Sequence, residues 1–143
     1  MSEILHGKPV VPGRAEGVAL VSAEPISLWG GLNPRTGEII DRRHERSGEV
    51  VTGRVFVLPG GKGSSTGSAI LLESIRAGTA PAAIVNLRTD AIAALGAIVA
   101  DELYGRTVPI VVLPAEAFAR IREGDLVTVE PDGTVRLGRK EGA

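Results

Sequence analysis

Cysteine is absent from these 143 residues, so the chain can form no disulfide and can offer no thiolate to zinc or to an iron–sulfur cluster. Any such centre would have to be held by another chain. Aromatic residues amount to 3%, which leaves valine, isoleucine, leucine and alanine to fill the interior. Neither sign of charge is in surplus, with 16 basic against 17 acidic side chains and a net charge of −1. Nothing in that balance recommends nucleic acid or an anionic membrane as a partner. No apolar run approaches the roughly 20 residues of a membrane span, and no signal-peptide pattern is seen; the plain reading is a soluble, cytoplasmic protein. The apolar fraction of 43% suits one domain with its own core. It is expected to span residues 1–143, with the core at about 9–137 and a charged, frayed tail at 138–143.

What the chain has in quantity is glycine, 19 residues, with nine prolines, and these punctuate it. Residues 13–22 read as a strand with glycine breaks, 23–48 as a turn-rich region holding a short strand at Glu38–Asp41, and 50–58 as a second β run. The pattern then alternates. Ile70, Leu71, Leu72 and Ile75 predict a helix ended by Gly78, and 82–87 is an apolar run suited to a buried strand. Thr89 is the expected cap of a helix with an apolar face of Ile92, Leu95, Ile98, Val99 and Leu103, stopped at Gly105. A buried strand at 108–113 follows, then a short helix from Pro114 through Ile121. The hairpin at 126–137 turns at Pro131-Asp132-Gly133. This order predicts a layered β/α domain with mainly parallel strands in its second half.

The stretch with the most chemistry is Pro59-Gly60-Gly61-Lys62-Gly63-Ser64-Ser65-Thr66-Gly67-Ser68, which leaves a strand and enters a helix. Glycines let a ligand approach the backbone, and a helix start with hydroxyls and one lysine favours an anion. It is not a P-loop, because Lys62 is followed by Gly63 and not by serine or threonine. Nor do Gly60, Gly61, Gly63 and Gly67 have the spacing of a dinucleotide fingerprint. A flexible linker is the bland alternative, opposed by apolar patterns abutting both sides. Ser64 and Ser65 read either as helix caps or as catalytic oxygens; a serine base needs helix amides and a cation such as Lys62 to stabilise its alkoxide.

The run Asp41-Arg42-Arg43-His44-Glu45-Arg46 reads first as a solvated face. His44 is a possible metal ligand or base, although a lone histidine among charges is more often plain surface. Arg42 and Arg46 are placed to clamp a carboxylate or phosphate. Trp29, before Gly30-Gly31, reads as a core plug in preference to a pocket wall. With His6 near the terminus, two histidines so placed make no Ser–His–Asp set.

Three segments together carry a resemblance. Gly30–His44, the loop 59–68 and Ala80–Asn86 are similar to the aconitase X small subunit, across nearly everything from Gly13 to Leu113. The Gly63-Ser64-Ser65 triplet also resembles that of the aconitase swivel domain, where the first serine is the catalytic base. The resemblance implies a single swivelling β/β/α domain, the small subunit of a hydro-lyase. Ser64 would then be the proton acceptor, and Lys62, Gly63, Ser65 and Thr66 would bind the substrate. It also implies a larger subunit carrying an iron or iron–sulfur centre, a small anionic substrate, and no metal on this chain. One branch of the family dehydrates mevalonate 5-phosphate and typically reads Lys-Gly-Ser-Thr-Val-Gly-Ser-Tyr. Ser65, Thr66 and Ala69 depart from that pattern and favour the other branch, which acts on cis-3-hydroxy-L-proline. Two rivals stand beside it: a phosphocarrier domain, for which the loop lacks the histidine, and a non-catalytic anion-binding module.

Overall fold

The computed structural model describes residues 2–63 and 65–138. Ser64, the expected base, and the tail from 139 onward lie outside the described residues. Gly138, expected in the tail, ends a strand.

The centre of the fold is four parallel strands, β3 (Ala15–Val21), β4 (Val55–Leu58), β5 (Ala83–Asn86) and β6 (Ile110–Val112). β2 (Lys8–Val11) runs antiparallel to β6 at one edge. On the other side β7 (Leu126–Val129), β8 (Thr134–Gly138) and β1 (Ser2–His6) follow in antiparallel pairings. The full order is β1-β8-β7-β3-β4-β5-β6-β2. Its two edge strands are separated in the chain by Gly7 alone, whose N–H donates to the Gly133 carbonyl at 3.0 Å. One residue spans only a few ångströms, so the sheet must curl until its edges meet, as a barrel does.

The period of two sorts side chains between the two faces of this curled sheet. Val55, Val57, Ala83, Val85 and Val111 point inward and pack with Leu5, Val127, Val135 and Leu137. Phe56, Leu58, Ile84 and Ile110 point outward to the helical layer. That layer is α2 (Gly67–Ala77) and α3 (Ala91–Tyr104). Leu71 of α2 is fully buried, a contribution of about 2 kcal/mol by area alone. Gly78 and Gly105 end the two helices in the left-handed region, as their positions predict. Short helices α1 (Leu28–Gly31) and α4 (Ala115–Phe118) complete the elements.

Several expectations are corrected. α3 is capped by Asp90, not Thr89: the Asp90 carboxylate accepts from the Ile92 and Ala93 amides at 3.1 Å. Its inward face is Ala93, Gly96, Ala97 and Ala100, whereas Leu95, Ile98 and Leu103 are exposed. From Ala91 to Ala100 the helix carries no polar side chain, so periodicity could not choose a face there; the closeness of α2 admits only small residues. Glu38–Asp41 forms isolated bridges to Leu32 and Val50 in place of a strand. β1 and β2 were not legible as strands. Pro9 argues against one locally, yet β2 is an edge strand, where a missing donor is tolerated.

Candidate functional site

The loop 59–66 leaves β4 at the carboxyl end of the parallel strands, the end at which open β/α sheets bind ligands. Its start is fixed from behind. The Asn86 amide Nδ2 donates to the Leu58 carbonyl at 3.1 Å, and the Pro59 carbonyl accepts from the Leu87 and Arg88 N–H groups. The other Asn86 side-chain atom, Oδ1, is buried without a partner among the described residues. Gly61 then passes so close to the α3 cap that a Cβ there would lie 2.3 Å from Asp90 Oδ2. Only glycine permits that approach.

Lys62 donates its backbone N–H to the Ile26 carbonyl at 3.1 Å, and Gly61 bridges Ile26 in parallel register. These bonds tie the loop to the segment leading into α1. Gly63 turns at φ 87° beside Ser27. Ser65 and Thr66 are exposed, and their carbonyls accept from Ser68 and Ala69 as α2 begins. Ser68 donates its hydroxyl to the Ile92 carbonyl of α3 at 2.7 Å, locking the first turn of α2.

Beside the loop lies a cleft of about 550 Å³, within the size range of small-molecule sites. Lys62, Arg42 and Arg43 supply three cations to its walls, Glu24 and Asp41 two carboxylates, and Trp29 an aromatic face. Lys62, Trp29, Asp41, Arg42 and His44 therefore share one cavity although the sequence separates them by up to 33 positions. The clamp expected from Arg42 and Arg46 does not form, because Arg46 pairs with Glu123 at 2.5 Å; Arg43 lines the cleft with Arg42.

Two further readings are corrected here. His44 is not plain surface: it is 5% exposed, its Nδ1 accepts from the Arg46 N–H at 3.0 Å, and its Nε2 lies 3.3 Å from the Ser22 hydroxyl. It pins the turn that presents Arg42 and Arg43. Trp29 is not a core plug but is 57% exposed. Ser27 and Glu24 line the cleft without having been singled out; the loop's contact with residues 26–27 is long-range and leaves no local signal.

The turn from 41 to 46 is also held electrostatically. The Glu45 carboxylate accepts from the Ala23 amide and from the Ser22 hydroxyl, the latter at 2.9 Å. The Ala23 bond first, then the Ser22 bond, holds its carboxyl below the ordinary value of 4.5. A lowered folded-state value stabilises the fold fully above that range and is lost as pH falls through it. The Ala23 amide resonance should therefore titrate below pH 4.5, and Glu45→Gln should abolish that titration. An Ala23 shift unchanged down to acid unfolding would remove Glu45 from this role. Among the described residues no group of three or more His, Asp or Glu side chains is placed to hold a metal ion, and no helix is long and apolar enough to cross a membrane.

A curled mixed sheet, a two-helix layer and a glycine loop opening onto a charged cleft define a swivel-type β/β/α domain. The family model for the aconitase X swivel domain matches residues 4–137, and the chain belongs to that family. It is 47% identical over 132 residues to a cis-3-hydroxy-L-proline dehydratase of Pseudomonas aeruginosa, a match that covers 87% of this chain and 23% of the relative. The chain thus spans less than a quarter of that dehydratase. It is 36% identical to a phosphomevalonate dehydratase small subunit of Methanosarcina acetivorans, covering 97% of this chain and 94% of the other. The holo-form crystal structure of aconitase X from Thermococcus kodakaraensis superposes with a TM-score of 0.86 at 32% identity, covering 96% of this chain and 99% of that one.

Proposed function

We propose that this chain acts as the small, swivelling subunit of a hydro-lyase that removes water from cis-3-hydroxy-L-proline, working only with a larger partner subunit. The supporting observation is the junction of the 59–66 loop with a cleft carrying three cations, on a chain of this family. In this reading Ser64 takes the proton α to the carboxylate, the Cα–Cβ double bond forms, and hydroxide leaves from the β carbon. Lys62, with the backbone of Gly63 and the hydroxyls of Ser65 and Thr66, holds the carboxylate. The N-terminus of α2 adds its partial positive charge.

The chain has no cysteine, and among the described residues no acidic or histidine cluster is suited to iron, so these residues do not fit an iron or iron–sulfur centre. We assign any such centre to the large subunit. The partner is further supported by relatives called small subunits and by the exposed Leu95, Ile98 and Leu103 on α3, apolar surface of the kind that a partner covers. Residues 1–143 are taken as one domain, and a cytoplasmic location belongs to the same proposal.

The identity of 47% to the hydroxyproline dehydratase favours that substrate. Mevalonate 5-phosphate is the second reading, favoured by the near-complete overlap with the archaeal small subunits. The deciding experiment mixes the chain with its large partner and assays both compounds. Turnover of neither, with anion binding retained by this chain alone, would make it a non-catalytic anion-binding module. Lys62→Ala should raise KM about tenfold, equivalent to ~1.4 kcal/mol, with kcat less affected. An unchanged KM would take Lys62 out of substrate binding.

A further inference from the structure

The chain has one tryptophan, and the fold displays it. Trp29 adopts φ −69° and ψ 118° inside the short α1, Gly30 follows at φ 80°, and the Ser27 hydroxyl donates to the Trp29 carbonyl at 3.1 Å. This break in the helix swings the indole out of the apolar layer, although Ile26 and Leu32 on either side are buried at 1% and 3%. The indole faces the same cleft as Lys62. Large apolar side chains left in water cost free energy, so an indole held at a cleft wall by a kinked backbone marks a contact surface.

The charges around it are of both signs. Asp41 is oriented by accepting the Arg43 N–H at 3.0 Å, and Glu24 by accepting the Glu45 N–H at 3.0 Å. Two carboxylates and an aromatic face make no favourable contact with an acyclic substrate whose only charged groups are a carboxylate and a phosphate, and the carboxylates would repel it. A cyclic amino acid differs: it presents a carboxylate to the cations, a protonated ring nitrogen to carboxylates or an indole face, and aliphatic ring C–H groups to pack on that face. We propose that Trp29 is the wall on which the substrate's pyrrolidine ring and protonated nitrogen rest, so that the cleft selects a zwitterionic cyclic amino acid over a phosphorylated hydroxy acid. This rests on the hydro-lyase reading above and names the residue that sets its substrate class.

The test compares wild type, Trp29→Ala and Trp29→Phe, each assembled with the large subunit, on cis-3-hydroxy-L-proline and mevalonate 5-phosphate. Trp29→Ala should raise KM for cis-3-hydroxy-L-proline between about twofold and thirtyfold, the span of cation–π contacts, with kcat changed less. Trp29→Phe, which keeps an aromatic face, should recover most of that loss. Equal KM in wild type and Trp29→Ala would overturn the proposal. So would loss of subunit association in Trp29→Ala by size-exclusion chromatography, which would place Trp29 at the partner interface. Wild-type turnover of mevalonate 5-phosphate alone would also overturn it while leaving the hydro-lyase reading intact; turnover of neither compound would remove that reading as well.

Discussion

Ser64→Ala is expected to cut kcat of the assembled enzyme by about a thousandfold, the scale of a lost general base, while leaving KM and subunit association nearly unchanged. The expectation follows from the chemistry of the loop. A serine hydroxyl is a poor base in water, and three features can stabilise its oxyanion here. Lys62 stands two positions away in a loop that opens on the cleft. The first turn of α2, eleven residues long, begins three positions on at Gly67. Closure against a large subunit would exclude water and strengthen both effects. Steady-state rates on the assembled enzyme, with subunit stoichiometry checked in parallel, decide the matter. Turnover within a factor of about three of wild type would show that proton removal belongs to another group.

Gly96→Val should be the most damaging single change to the fold outside the cleft. A Cβ at Gly96 would stand 2.6 Å from the Ser68 carbonyl oxygen and 3.2 Å from Leu71 Cβ. The obstacle is backbone, not the movable end of a side chain, so α2 and α3 would have to separate. Overpacking of this kind costs about 3 kcal/mol, or roughly 10 °C in Tm for a chain of this size. The damage should reach the site as well. Ser68 is the second residue of α2, and its hydroxyl bond to the Ile92 carbonyl holds the turn on which the loop ends. Thermal unfolding and KM should therefore worsen together. A melting temperature within 2 °C of wild type would mean that the two helices slide freely, against the close packing of α2 on α3 at Gly96.

Much of the candidate site was legible because its elements are contiguous. The apolar run Val55–Leu58, the glycines and the apolar residues of α2 announce strand, loop and helix in order, and local propensity agrees with the fold at each step. The cleft was not legible in the same way. His44 looked like surface because its neighbours in the chain are charged, yet Ser22 and the Glu24 carbonyl, about twenty positions earlier, enclose its ring. Trp29 looked like core because aromatic residues usually are, and only the break before Gly30 turns it outward. On α3 the error over the buried face had one source: alanine and leucine both count as apolar, and periodicity does not weigh size against the width of the gap to be filled.

By itself, then, the amino-acid sequence determined the family, the alternation of strands and helices, and the glycine loop between β4 and α2. Those depend on hydrophobic period, on glycine at turns and on motifs read within a few residues. Tertiary structure alone decided which face of α3 is buried, how the edge strands β1 and β2 meet through Gly7, and which charges surround Lys62. Such outcomes depend on distances between segments far apart in the chain. Steric fit at those distances, more than the character of any single residue, selects among them.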